Sequence, residues 1–169
     1  KDYIMRYDRE FRHTYMNPAG LEVSGLKEDD IIGKTHREAG FPKELCEIWE
    51  EKIRYVFENA KETSAQFTWE SPTGKLYLDW QLYPELDQNG NVVNVIGVSR
   101  DITDLKKIED ELRENEEKLQ VTFNSIGDAV ITTDVSGKIT KLNPTAEHLT
   151  GWQEQDATGK SLEEIFNII

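Results

Sequence analysis

The feature that most constrains this sequence is an internal repeat. Asn17-Pro18 near the start of the chain returns as Asn143-Pro144, and residue numbers 17 and 143 differ by 126. Turn residues on either side recur at the same offset without gaps, namely Asp8 with Asp134, Gly25 with Gly151, and Gly33-Lys34 with Gly159-Lys160. Because shared turn residues at one fixed offset rarely arise by chance, we infer a tandem duplication of one structural unit.

The first copy, residues 1–103, carries a complete set of strand and helix signals. Two short strands are predicted on either side of a turn at Asp8, and short helical pieces follow Asn17-Pro18. Lys43 to Asn59 is predicted as a long helix, because its apolar residues recur on one face. Three strands joined by hairpin turns complete the copy, which gives a predicted sheet of five strands.

The second copy, residues 127–169, repeats only the opening part of that pattern. It has the first two strands and the short helical pieces, but neither the long helix nor the other three strands. Two strands cannot bury a sheet face by themselves. We therefore expect this copy to be poorly ordered, docked on the first domain, or completed by another chain.

A charged helix is predicted between the copies, from Asp101 to Ile126, with residues 104–126 as the linker. Asp101 can cap its first turn, and no Gly or Pro interrupts it. A heptad spacing of mostly apolar residues predicts a seam for a second helix, formed by Leu105, Ile108, Leu112, Asn115 and Leu119. We expect a homodimer through this helix; the alternative is an amphipathic helix that lies on its own domain.

Charge and cysteine content narrow the classes of partner. The chain has 33 acidic and 20 basic residues, a net charge of −13 that disfavours nucleic acid and anionic membranes. No apolar run reaches the length of a membrane span. The single cysteine, Cys46, rules out an internal disulfide and a cysteine-based zinc cluster. We expect a cytoplasmic protein whose present segment contacts neither nucleic acid nor a membrane.

Several motifs resemble those of the PAS domain family. They are Asn17-Pro18-Ala19, Asp30-Ile31-Ile32-Gly33-Lys34, the closing run Gly97 to Thr103, and the second set around Asn143-Pro144 and Gly159-Lys160. The resemblance, which covers essentially the whole chain, implies an α+β fold. It implies a five-stranded antiparallel sheet with flanking helices, followed by a long linker helix and the N-terminal part of a second PAS domain. It also implies the sensor region of a signal-transduction protein, most commonly a histidine kinase, with an output domain downstream in the same chain.

The function expected from this resemblance is that of a regulatory sensor and dimerisation module. A signal from the PAS core would pass through the junction Asp101, Ile102 and Thr103 to the helix. Residues expected to line an internal pocket are Ile32, Trp49, Ile53, Phe57, Phe67, Trp69, Trp80 and Val98. The large rings among them leave two alternatives: a cavity for a small apolar molecule or metabolite, or a filled interior in a ligand-free protein–protein interaction module.

Residues for catalysis or cofactor attachment are not evident in the sequence. His13, His36 and His148 lack partners at metal-ligand spacing, and we expect all three at the surface. Haem-binding members of the PAS family place an axial histidine on the long helix, and the long helix of this sequence has no histidine. Flavin-binding light sensors of that family carry a reactive cysteine that the segment after Gly33-Lys34 lacks, and Cys46 is expected to be a small core residue. We therefore expect no metal, no bulky cofactor and no enzymatic activity.

Overall fold

A computed structural model describes residues 2–72 and 74–165 of the protein. The chain divides into two compact units, of which the first ends at Lys107 and the second begins at Ile108. The boundary falls within a helix, so one continuous element belongs to both units. None of the helices in the described ranges is long and apolar enough to cross a membrane.

The first unit is built on a five-stranded antiparallel sheet, which confirms the predicted fold class. Its strands are β1 (Asp2–Tyr7), β2 (His13–Met16), β3 (Thr63–Ser71), β4 (Gly74–Leu86) and β5 (Val92–Asp101). The order across the sheet is β2-β1-β5-β4-β3. The first and last strands of the unit are therefore neighbours, and the last three strands follow one another as antiparallel partners.

Three helices are inserted between β2 and β3. They are α1 (Pro18–Ser24), α2 (Glu28–Ile31) and α3 (Lys43–Asn59), the last with the bounds that its periodicity predicts. Buried residues of α3 recur every three or four positions, so one face of the helix packs on the sheet. That face and the inner side of the sheet share one core, formed by Tyr7, Trp49, Ile53, Val56, Trp80, Leu82, Val92 and Val95.

A single helix, α4 (Thr103–Ser125), follows β5 without a Gly or Pro to interrupt it. The apolar residues predicted for its seam, Leu105, Ile108, Leu112 and Leu119, are between 53% and 70% exposed. Asn115, the polar seam position, is exposed as well. Within the part of the chain that the structure describes, this face therefore has no apolar cover.

The second unit contains a two-stranded antiparallel sheet and short helices. The strands are β6 (Ile131–Thr133) and β7 (Ile139–Leu142), and the helices are α5 (Pro144–Thr150), α6 (Glu154–Ala157) and α7 (Leu162–Ile165). These elements enclose a small core of Ile139, Leu142, Ala146, Ala157 and Ile165. Up to its last described residue, the unit has no counterpart of α3 or of β3–β5. The strands and helices of the repeated half thus pack on one another.

Candidate ligand cavity and signal junction

A cavity of about 60 Å³ lies between the sheet and the helices of the first unit. All of its lining residues are buried or half-buried, and none of them is Asp, Glu, Lys or Arg. The lining residues are Tyr3, Met5, Tyr7, His13, Met16, Gly20, Val23, Ser24, His36, Phe41, Trp49, Phe67, Trp69, Leu78, Trp80 and Ser99. Aromatic and imidazole rings therefore make up most of the large side chains of the wall.

Half of the residues expected to line a pocket do line this cavity, and half do not. Those on its wall are Trp49, Phe67, Trp69 and Trp80. Val98 is half-buried on the other face of β5, because successive strand residues point to opposite faces and Gly97 and Ser99 take the inner side. The expectation for Val98 was wrong, because its two neighbours, and not Val98 itself, face the inside of the sheet.

Ile53, Phe57 and Ile32 also lie away from the cavity. Ile53 is fully buried in the core one turn beyond Trp49, where α3 meets the sheet. Phe57 follows one turn later, and the guanidinium carbon of Arg9 lies 5.4 Å from the centre of its ring. Ile32 is half-buried and forms a β-bridge with His13 through its backbone. These three residues belong to the core or its edge, so the cavity lies nearer the start of α3 than expected.

Two of the three histidines are internal, which corrects the expectation that all lie at the surface. His13 is 0% exposed and His36 is 4% exposed, whereas His148 is exposed. The His13 and His36 rings meet edge to face with their centres 4.5 Å apart, and the His36 and Trp49 rings lie 4.6 Å apart. Sequence spacing could not reveal the pair, because β2 and the segment before α3 are brought together only by the fold.

The protonation of His13 follows from its surroundings. Its Nδ1 lies 2.9 Å from the carbonyl oxygen of Lys34, which can only accept a hydrogen bond, so Nδ1 carries the hydrogen. Burial lowers the pKa of His13, and burial together with the nearby His13 ring holds the pKa of His36 well below its usual range. Both rings are therefore neutral at pH 7. Nε2 of His13 is left with a lone pair, so it could only accept a hydrogen bond.

Four buried nitrogen atoms of the wall have no hydrogen-bond partner in the part of the chain that the structure describes. They are His13 Nε2, His36 Nδ1, Trp49 Nε1 and Trp80 Nε1. The Trp80 nitrogen lies against the backbone of Gly97, since a Cβ added to that glycine would be 2.6 Å from it. An unpartnered buried polar atom is costly, so these four nitrogens are polar exceptions in a mainly apolar interior.

Tyr7 places a hydroxyl group beside the histidine pair. Its hydroxyl oxygen lies 3.4 Å from His36 Nε2 and 3.4 Å from the sulfur of Met5. Burial raises the pKa of the Tyr7 hydroxyl, so this group stays neutral across the physiological range. The polar groups around the cavity are therefore uncharged and differ only in whether they donate or accept.

The described ranges contain no group of side chains arranged for metal binding or thiol chemistry. No cluster of three or more His, Cys, Asp or Glu side chains there has metal-ligand proximity. Cys46 is fully buried on α3 and its thiol lies 3.5 Å from the carbonyl oxygen of Phe41. Burial raises the pKa of the Cys46 thiol, which makes it less reactive. Its position agrees with the expected small core residue.

Family comparisons agree with this architecture. Residues 1–107 match a family profile described as PAS fold, and residues 117–168 match a second profile with the same description. The chain belongs to the PAS family. It therefore carries a PAS sensor core in its first unit, and its second unit matches the same family.

Two known proteins are similar to part of this PAS protein, and one solved structure has the same fold. It is similar to the probable diguanylate cyclase DgcE of Escherichia coli (strain K12), with 36% identity over 83 residues, or 49% of this chain and 8% of DgcE. It is similar to the sensor protein FixL of Bradyrhizobium diazoefficiens, with 34% identity over 76 residues, or 45% of this chain and 15% of FixL. The match thus spans only a small part of either relative. The PAS domain of Bordetella pertussis BvgS has the same fold, with a TM-score of 0.56 at 24% identity over 69% of this chain and 88% of that chain.

The end of the PAS core is tied to the sheet by three hydrogen bonds. The carboxylate of Asp101 accepts a bond of 2.9 Å from the backbone N–H of Thr103 in the first turn of α4. Tyr77 on β4 completes the junction: its carbonyl accepts from the Ile102 N–H, and its N–H donates to the Thr103 hydroxyl, both at 2.9 Å. The start of α4 is therefore fixed to the neighbouring strand as well as to its own.

The junction and the cavity share residues of the same two strands. Leu78, which lines the cavity, pairs directly with Asp101 and follows Tyr77 in the chain. Ser99, also on the cavity wall, precedes Asp101 by two residues on β5. The cavity wall at these two positions is therefore joined to the junction by covalent neighbours and ladder hydrogen bonds.

Proposed function

We propose that this PAS protein is a sensor and dimerisation module that passes the state of its cavity to α4. The observation that carries the proposal is the direct pairing of cavity-lining Leu78 with Asp101 of the junction. A ligand that moves Leu78 or Ser99 would shift the ends of β4 and β5, and with them the hydrogen bonds of Tyr77 that hold α4. Such a shift would bias two arrangements of a helix pair.

The exposed seam of α4 supports the dimerisation half of the proposal. Leu105, Ile108, Leu112 and Leu119 present apolar side chains to solvent at heptad spacing, which is the pattern of a coiled coil. Asn115 at one seam position would reduce stability and fix the register of the two helices. A second copy of this chain is the proposed partner.

A ligand-free interaction module is the second candidate, and the ring packing favours it. The Trp49 ring packs edge to face on Phe41 and on Phe67, with ring centres 5.4 and 5.1 Å apart. These contacts fill much of the interior, and the cavity of about 60 Å³ is far below the roughly 300 Å³ of pockets that hold drug-sized ligands. The same volume supports a small occupant over haem or a flavin.

The output of the intact protein is proposed from the family alone. FixL is named a sensor protein and DgcE a probable diguanylate cyclase, so similar segments occur in proteins of different kinds. A histidine kinase downstream in the same chain is our proposed output. The present chain is proposed to be regulatory rather than enzymatic.

Replacing Asp101 by Ala in the intact protein tests the relay. The variant loses the bond to the Thr103 N–H, so output is expected to respond less to the stimulus, or to become fixed in one state. Asp104→Ala is the matched control, because Asp104 is an exposed acid of the same helix turn whose nearest cation, Lys107, lies 3.8 Å away. Output activity with and without stimulus is the measurement. An unchanged response in the Asp101 variant would refute the relay.

Replacing Leu112 by Ala tests the seam. Loss of a buried leucine contact is expected to raise the dimer dissociation constant by at least about tenfold. Glu117→Ala, at an exposed position on the side of the helix opposite the seam, should leave the constant unchanged. Sedimentation equilibrium of this chain measures the dissociation constant of each variant. If the unaltered chain stays monomeric at all concentrations, α4 by itself does not hold two chains together.

A further inference from the structure

We propose that two α4 helices of this protein repel each other along the flanks of their seam, so that the ionic strength of the medium controls how tightly two chains pair. This inference rests on the proposed dimerisation through α4 and names what regulates it. The observation that carries it is the arrangement of acidic side chains on both sides of the exposed seam.

The seam fixes the heptad positions of α4. Leu105 takes the first core position, called a, and Ile108 takes the second, called d; Leu112, Asn115 and Leu119 continue the pattern. The residues directly beside the seam then occupy positions e and g. In a parallel pair of helices, each g residue meets the e residue that lies five positions later on the partner helix.

The first two heptads place like charges at these meeting points. Asp104 and Glu111 occupy g positions, whereas Glu109 and Glu116 occupy e positions, and all four are exposed. A parallel pair therefore sets Asp104 against Glu109 of the partner subunit, and Glu111 against Glu116 of the partner subunit. Each meeting occurs twice by symmetry. Like charges at such positions destabilise a helix pair, just as opposite charges stabilise it.

Bases of the same helix leave the inner acidic pair uncompensated. The two bases that follow Glu111, namely Arg113 and Lys118, lie 2.9 and 3.6 Å from other acids of α4. Among the residues that the structure describes, neither Glu111 nor Glu116 takes part in an ion pair. Two helices that meet along this seam would therefore bring unneutralised carboxylates together.

Repulsion and apolar attraction act on the same part of α4. The three consecutive apolar seam residues Leu105, Ile108 and Leu112, which are between 53% and 62% exposed, lie in the two heptads with acidic flanks. The third heptad has no like-charge pair, since Lys118 at g would meet Phe123 at e of the partner subunit. The strength of pairing is therefore the difference between two opposing effects in one segment.

Salt shifts this difference in one direction. The Debye length is about 10 Å at 0.1 M salt and about 3 Å at 1 M, so the repulsion between exposed carboxylates fades as salt is added. The apolar contacts of the seam are not screened. Pairing should therefore become tighter with salt, whereas a pair held together by salt bridges would become weaker.

Sedimentation equilibrium of this chain at 0.1 M and 1 M NaCl tests the inference. We expect the dimer dissociation constant to fall by at least about fivefold at the higher salt concentration, because four like-charge meetings per dimer are screened. Leu112→Ala should pair more weakly than the unaltered chain at both salt concentrations, since the contact that remains is the apolar seam.

Reversing one charge locates the repulsion. Glu116→Lys sets a cation against Glu111 of the partner subunit, so the dissociation constant at 0.1 M salt should fall by at least about fivefold and depend less on salt. Glu117→Lys is the matched control, because it changes the net charge equally but lies on the side of the helix opposite the seam. Its effect should stay below about twofold. Circular dichroism of the dilute variants checks that helix content is retained.

A second reversal tests the contact between chains. Adding Glu111→Lys to Glu116→Lys sets lysine against lysine, so the dissociation constant should return toward that of the unaltered chain. Residues five positions apart on one helix do not face each other, so this return would report a contact between two chains. If the two substitutions instead gave additive gains, the acids would not meet and the inference would be wrong.

The remaining outcomes separate this inference from the proposed dimerisation. A dissociation constant that salt leaves unchanged or raises would overturn the charge control but leave the dimer in place, and so would equal effects of Glu116→Lys and Glu117→Lys. If Leu112→Ala pairs as tightly as the unaltered chain, the interface lies elsewhere and both proposals are wrong. Both also fail if the unaltered chain at 1 M salt and the Glu116→Lys variant are monomeric.

Discussion

The two units of this protein share a backbone frame but differ in what the frame encloses. In the first, the Asn17 side chain accepts hydrogen bonds from Ile4 N–H at 3.1 Å and from Gly20 N–H at 2.9 Å. In the second, Asn143 accepts from Val130 and Ala146 N–H, both at 2.9 Å. Helices α1 and α5 then both end at a glycine with positive φ, 73° at Gly25 and 75° at Gly151. Such caps and turns are set by backbone chemistry, which the duplication has kept.

The contents of the frame have diverged where the first unit has its cavity. His13 corresponds to Ile139, which is equally buried, and His36 corresponds to Leu162, which is 42% exposed. Gly20, on the wall, corresponds to Ala146 in the core of the second unit. The comparison teaches that the frame and the polar lining are separable, so residues that differ between the copies are the ones to examine for function.

Replacing the asparagine that both units share is expected to have the largest effect on stability. Asn143 is fully buried, and its amide also donates to the carbonyls of Ile126 and Asp128. Asn143→Ala should destabilise the second unit by about 2–4 kcal/mol, because several buried backbone groups lose their partner. Asn17→Ala should cost the first unit about 1–2 kcal/mol, since Asn17 is only half-buried.

Residue-resolved amide hydrogen exchange measures both effects in one chain. Protection of β7 should fall in the Asn143 variant while that of β5 is retained, and the Asn17 variant should show the reverse. Equal losses in both units from either substitution would show that the frames are not independent.

The buried histidines predict a pH dependence that the second unit lacks. Both rings are neutral in the fold, with a pKa below the value of about 6.5 expected in the unfolded chain. As pH falls below that value the unfolded chain takes up protons that the fold does not. Stability is therefore complete above about pH 6.5 and falls toward pH 5, by at most about 1.4 kcal/mol per pH unit for each ring.

The double substitution His13→Ile and His36→Leu sharpens this prediction, since it gives the first unit the residues of the second. Urea unfolding of the first unit between pH 7.5 and 5.5 should show a flatter slope than in the unaltered chain. His148→Gln, at an exposed histidine, is the control and should leave the slope as it was. A slope that persists in the double variant would assign it to other groups.

The smallest of the three expected effects on stability concerns Gly20 and its counterpart Ala146. A Cβ on Gly20 would lie 2.7 Å from Cγ of Met16, so Gly20→Ala should destabilise the first unit by about 1 kcal/mol despite the better helix propensity of alanine. Adding Met16→Leu copies the Leu142–Ala146 pair of the second unit and should recover most of the loss. Denaturant midpoints of the single and double variants check both expectations, and a stabilised single variant would contradict them.

Local sequence signals predicted the backbone frame well, because turns, helix caps and hydrophobic periodicity each depend on a short segment of sequence. The bounds of α3, the five strands and the continuous α4 all follow from such signals. Four aromatic cavity residues, Trp49 and Trp80 among them, could also be predicted, since large apolar rings on a helix and a sheet that face each other must meet.

The polar part of the cavity could not be predicted from local patterns. His13 and His36 are brought together by the packing of β2 against the segment before α3, and burial in that contact decides their protonation. One signal was nevertheless present in the sequence. The repeat aligns His13 with Ile139, and an aliphatic residue at the matching strand position indicates an inward-facing side chain.

The positions of the tryptophans allow intrinsic fluorescence to report on the cavity. Of the four tryptophans in the chain, Trp49, Trp69 and Trp80 line the cavity. The fourth, Trp152, lies in the second unit, with the ammonium group of Lys160 4.0 Å from the centre of its ring. A compound that enters the cavity must therefore alter the environment of three emitting rings while the fourth serves as an internal reference. Intrinsic fluorescence can follow occupancy in this protein without any attached dye.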